Sequence, residues 1–189
     1  MIHLSLPIII AFLVVGASAQ DLPKKIRGYK VHDEIISLSN QNPVTAGNTV
    51  LVIGEPKVAS ISFGGVTLAI AGGLESAGYD GRVEMLTFHD FRINGVPVDV
   101  AESKTPFTIN KHGTTALPSP ANVFLSTSDI ISSAWKEITD SKDDWSVTGR
   151  VFVFGKFRKL GFSFKRVVPV DVRLIMKNPL LEYRKSALS

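Results

Sequence analysis

The chain has 189 residues, a formal charge of +4 and no cysteine. Without cysteine there is no disulfide stapling, no thiolate catalysis and no cysteine-based metal site, so stability must come from buried apolar surface. The net charge is milder than that of a dedicated nucleic-acid binder, so nucleic acid is not the expected partner.

The first residues, MIHLSLPIIIAFLVVGASAQ, hold an apolar run from Leu4 to Val15 followed by the small residues Ala17, Ser18 and Ala19. This pattern predicts a signal peptide over residues 1–19 with cleavage before Gln20. The run is shorter than the ~20 apolar residues that span a bilayer. The expected product is secreted, with a periplasmic protein or an uncleaved anchor as the alternatives. Residues 20–55 read as an N-terminal extension with a leading strand within Ile26 to Ser39. A turn-rich stretch follows from Asn40 to Asn48, then a short apolar run at Val50 to Ile53.

Residues 56–177 carry the domain pattern. Val58 to Phe63 and Val66 to Ala71 read as strands, with Gly64-Gly65 turning between them. Arg82 to Ile93 and Val96 to Val100 flank Asn94-Gly95, the strongest short hairpin signal, because both central residues of such a turn need positive φ. Pro97 cannot donate to a ladder, which predicts an edge or a bulge there. Phe107 to Ile109 and Val123 to Leu125 are further short strands. Ser126 to Asp129 offer capping groups, and Ile130, Ile131, Ala134, Trp135 and Ile138 recur at helical spacing. Together they predict one short helix ending near Ser141.

The stretch from Lys142 to Lys177 is the clearest. Trp145, Val147, Gly149, Val151 and Val153 share one parity, and Val170, Val172, Leu174 and Met176 share another, as two long strands with a buried face require. Between Asp144 and Asp171 lie Arg150, Lys156, Arg158, Lys159, Lys165 and Arg166 with no acid among them. Phe152, Phe154, Phe157, Phe162 and Phe164 are interleaved with these bases. The six bases are candidates for meeting an anionic lipid or membrane surface, or another polyanion such as a glycosaminoglycan. Phe152, Phe154, Phe162 and Phe164, with Trp135 as a lid, are candidates for lining an apolar-ligand cavity. Residues 178–189 read as a C-terminal tail.

No catalytic pattern is present. There is no Gly-x-Ser-x-Gly elbow and no phosphate-binding glycine loop. His32, His89 and His112 lack metal-ligand spacing. A non-enzymatic protein without metal or cofactor is therefore expected.

Four elements in order carry a family resemblance: INGVPV (Ile93 to Val98), LPSPANVFLSTSDI (Leu117 to Ile130), the helix from Ser128, and the strand with Trp145, Val147 and Gly149. Over about Pro56 to Lys177 this order resembles the late embryogenesis abundant type 2 family, also called the water-stress and hypersensitive-response (WHy) domain. The Asn-Pro-Asn element of that family is missing from Ala71 to Asp80. The resemblance implies an immunoglobulin- or fibronectin-III-like β-sandwich with one short helix, a part in stress or desiccation protection, and, for some relatives, attachment to membranes or lipid. It carries over no catalytic residue.

Overall fold

The computed structural model describes residues 22–33, 35–39, 49–76, 80–111, 113–127, 143–159, 161–181 and 183. The predicted signal peptide, the predicted helix with Trp135, and His112 lie outside the described residues. Among those described, β1 (Lys25–Ile26), β2 (Tyr29–Val31) and β3 (Ile36–Ser39) precede three long strands, β4 (Thr49–Ser62), β5 (Gly65–Ser76) and β6 (Asp80–Ile93). Then come β7 (Val96–Pro97), β8 (Asp99–Val100), β9 (Phe107–Ile109), β10 (Gly113–Ala116) and β11 (Ala121–Ser126). A hairpin of two 16-residue strands, β12 (Asp144–Lys159) and β13 (Phe162–Lys177), closes the domain.

The strands form two facing sheets. The larger runs β1-β2-β13-β12-β6-β7, with β3 also beside β13 and β9 beside β6; the smaller runs β10-β5-β11-β8, with β4 beside β5. Asn94 and Gly95 both adopt positive φ, 50° and 83°, and join β6 to β7 as the turn chemistry demands. After Val98, whose N–H still donates to the Phe91 carbonyl at 3.0 Å, the chain leaves β6, and β8 pairs with β11 of the other sheet. Pro97 thus sits beside the point where edge pairing ends.

Pro169 lies in the middle of β13, a position proline rarely tolerates. The Val167 carbonyl on this strand accepts the His32 N–H at 2.8 Å. Pro169, two residues on, turns its missing N–H to that same side. There β2 has ended at Val167 and β3 begins only at Val170, so no ladder bond is lost.

The inner faces meet in two apolar clusters. Val83, Leu86, Ile109, Val151, Val153, Phe157, Val170 and Val172 of the larger sheet pack with Leu74 of the smaller. Val66, Leu68, Val123 and Leu125 of the smaller sheet pack with Ile93, Trp145, Val147 and Leu180. Trp145 is fully buried. The parity read from the sequence is the inner face of β12.

Two segments do more than the sequence suggested. The stretch read as an N-terminal extension supplies β1, β2, β3 and the start of β4. Its first hairpin folds over the outer face of the larger sheet, where Tyr29 and Val31 bury Phe152, Phe154 and Val167. Hence Val151 to Phe154 is buried on both faces, since the strand has a layer on either side. The segment read as a tail begins as a docked turn. Asn178 is buried, its Oδ1 accepts the Leu180 N–H at 3.0 Å, and its own N–H donates to the Asp143 carbonyl at 2.9 Å. Asn178 acts as an N-cap and Pro179 as the first helical residue, which drives Leu180 into the core.

Candidate anion-binding surface

At its closed end the β12–β13 hairpin brings bases from three strands into one row. Lys156 of β12 is directly opposite Lys165 of β13 on one side and Arg82 of β6 on the other. Directly paired residues point to the same face of a sheet, so these three cations share its outer face. Two residues nearer the turn, and ~7 Å along the strand, exposed Arg158 is opposite Ser163 and Asp80. The Asp80 carboxylate already accepts the Lys111 backbone N–H at 2.7 Å. Like charges directly opposite each other destabilise a sheet. Arg82, Lys156 and Lys165 therefore repel one another, and contacts to Glu84 and Tyr29 offset part of that repulsion.

Two acids temper the row, Asp80 opposite Arg158 and Glu84 beside Lys156. The register of β6 against β12 shifts between Phe154 and Gly155, so Glu84 is an extra residue at a bulge. Its carboxylate accepts the Tyr29 hydroxyl, and its Oε1 lies 3.3 Å from Lys156 Nζ. Lys165 Nζ stands 4.1 Å above the centre of the Tyr29 ring. The Tyr29 hydroxyl, then the charges of Lys156 and Lys165, hold the Glu84 carboxyl below its usual range. Burial, and then the bond to Glu84, push the Tyr29 phenol up to about 12. The N-terminal hairpin is thus fastened to the strands that carry the bases. A second tie joins Arg27 Nη2 to Glu102 Oε1 at 2.6 Å.

The six candidate bases divide. Lys156, Arg158 and Lys165 share the outer face. Arg166, one residue beyond Lys165, points to the other face, where it is opposite Lys30, which is in turn opposite Lys25. Its guanidinium lies 5.6 Å from the centre of the Phe164 ring. Lys159 closes the hairpin opposite Phe162 in the backbone register. Arg150 does not join them. It is engaged by Asp171 through two bonds of 2.5 and 3.2 Å, six residues back along the strand. Sequence reading missed Arg82, which joins the row, and Lys30 and Lys25, which line up with Arg166 on the other face; strand register alone places all three.

The candidate lining residues also divide. Phe152 and Phe154 are buried beneath the N-terminal hairpin, with the Tyr29 and Phe154 rings edge-on at 5.1 Å. Phe164 is half-buried at the margin of the core, and Phe162 is 78% exposed. The cavity lies elsewhere, between the two sheets. It has a volume of ≈ 70 Å³ and is walled by apolar side chains including Leu68, Phe88, Phe91, Val123 and Trp145. None of the four phenylalanines lines it. Its volume is well under the ~300 Å³ at which sites for drug-sized ligands begin. Among the described residues no cluster of three or more histidine, aspartate or glutamate side chains could hold a metal ion.

No family model matches the chain, and no curated protein matches it. Among solved structures it is similar to one described as a late embryogenesis abundant protein. The two share 10% identity at a TM-score of 0.40, over 71% of this chain and 73% of that one. It is also similar to a protein from Archaeoglobus fulgidus, with 13% identity and a TM-score of 0.34, over 68% of this chain and 95% of that one. Both likenesses are too distant to support a statement about function.

Proposed function

We propose that this is a secreted, non-catalytic β-sandwich protein of the late embryogenesis abundant type 2-like kind, acting in stress protection by binding anionic lipid surfaces. The family part of the reading is supported by the order of the INGVPV, LPSP and Trp-x-Val-x-Gly elements along the sequence. The binding part is supported by one observation, the opposed cations Arg82, Lys156 and Lys165 with Arg158 beside them at the end of the β12–β13 hairpin. Each base near an anionic leaflet contributes about 1 kcal/mol, so these four amount to about 4 kcal/mol before the opposing charges of Glu84 and Asp80 are subtracted. That is enough for reversible attachment and is lost as salt screens the charges.

The test is partition of the full chain onto phosphatidylcholine vesicles with and without phosphatidylserine, at low and high salt. The proposal requires a preference for the anionic vesicles that salt abolishes. Equal partition onto both would refute it.

A further inference from the structure

We propose that the protein meets the lipid end-on, with the turn of the β12–β13 hairpin entering the interface and Phe162 as its apolar anchor. This deepens the anionic-surface reading above and rests on it. Three observations carry it.

The first is the division of the bases. Lys156, Arg158 and Lys165 lie on one face of the larger sheet, and Arg166 and Lys30 on the other, at the same height above the turn. The second face is the one turned toward the smaller sheet, so a membrane lying flat could reach only the outer group. The outer face is also partly covered by the N-terminal hairpin and carries Glu84 in its middle. A plane crossing the end of the hairpin reaches both groups.

The second is Phe162 itself. It is 78% exposed and follows Gly161, whose φ of +82° makes the tight turn. An aromatic side chain held in water at a turn, with cations behind it, has the chemistry of an interfacial anchor. The spacing agrees. At ~3.3 Å per residue, Arg158 stands ~7 Å behind the turn and the Lys156–Lys165 pair ~7 Å further back. If the turn sinks ~5–10 Å, as interfacial segments do, Arg158 arrives at the phosphates. The lysine pair then lies within about one Debye length of the charged surface.

The third is the contrast with the turn between β4 and β5. Phe63 there is fully exposed, and Ile61 is 55% exposed. No lysine or arginine occurs from Val58 to Ile70. That turn belongs to the opposite end of the sandwich, where Val66 and Leu68 pack against Trp145. Exposed aromatic groups stand at both ends, but the strand residues next to Phe63 carry no base, whereas those next to Phe162 carry Arg158, Lys165 and Arg166.

The chain has no cysteine, so a single introduced thiol reports one position. Full-length Phe162→Cys and Phe63→Cys variants, each carrying an environment-sensitive nitrobenzoxadiazole label, are mixed with phosphatidylcholine–phosphatidylserine vesicles. The label at 162 should brighten, shift to the blue and be quenched by a nitroxide attached high on the acyl chain; the label at 63 should do none of these. In the unlabelled protein, Phe162→Ser should lower partition about tenfold. An unchanged signal at 162 in a chain that still binds anionic vesicles would overturn end-on insertion and leave surface binding standing. Equal brightening at both positions would overturn it as well. No binding of any variant to anionic vesicles would overturn both readings.

Discussion

The Phe91 ring lies flat against the backbone of Gly149, so closely that a Cβ at position 149 would come within 2.5 Å of it. The cause is a bulge in β6. Thr148 is opposite Arg92 but Arg150 is opposite His89, so Asp90 and Phe91 together face Gly149. Asp90 takes a φ of +52° to allow this, and Phe91 turns inward to wall the cavity beside Phe88. Gly149→Ala should destabilise the fold by about 1–3 kcal/mol through overpacking. Adding Phe91→Leu should recover part of that loss, since residues in contact couple. Urea unfolding of the two single variants and the double variant gives the answer, and simple additivity would contradict the packing described.

The Tyr29–Glu84 contact predicts a pH dependence with two limbs. The Glu84 carboxyl is held below its usual range, chiefly by the Tyr29 hydroxyl. Its contribution to stability is therefore complete above the unfolded carboxylate range and is lost as pH falls through the depressed folded value. The Tyr29 phenol is raised from 10.0 to about 12. Its contribution is complete below pH 10 and is lost as pH rises from 10 toward 12. Glu84→Gln should flatten the acid limb and Tyr29→Phe both limbs, measured as urea midpoints across pH. Phenolate absorbance should also lose its latest-titrating component in Tyr29→Phe. Profiles identical to the parent would contradict the contact.

The turn after β13 predicts that the chain cannot be trimmed at Lys177. Leu180→Ala should cost about 2–5 kcal/mol, since a buried leucine leaves a cavity against Trp145. Asn178→Ala should cost about 0.5–2 kcal/mol through loss of the cap. Thermal unfolding of both variants checks this; a chain ending at 177 that unfolds like the parent would contradict it.

Much of the fold was legible because alternation dictates the faces. Trp145, Val147, Val151 and Val153 could only form an inner face, and Asn94-Gly95 could only turn a hairpin. The division of the bases was legible by the same rule, since adjacent residues such as Lys165 and Arg166 must point apart. Their assembly was not. Arg82 lies more than seventy positions before Lys156 and meets it only through the register of β6 on β12, which a bulge at Glu84 resets. Phe152 and Phe154 suggested a ligand wall because nothing local announced that Tyr29 and Val31 would cover them. Asn178-Pro179 carried a helix-start signal, an N-cap followed by proline, that reads as a mere stop when the chain is assumed to end there.

The direct test of the central claim compares two double variants with the same loss of charge. Arg158→Gln with Lys165→Gln removes two cations from the hairpin end. Lys57→Gln with Arg173→Gln removes two exposed cations elsewhere on the surface. Partition onto anionic vesicles at low salt should fall about 30-fold for the first pair, at about 1 kcal/mol per base. It should stay near the parent value for the second pair. Equal losses in the two pairs would mean that net charge alone drives attachment, and the hairpin end would have no special part in it.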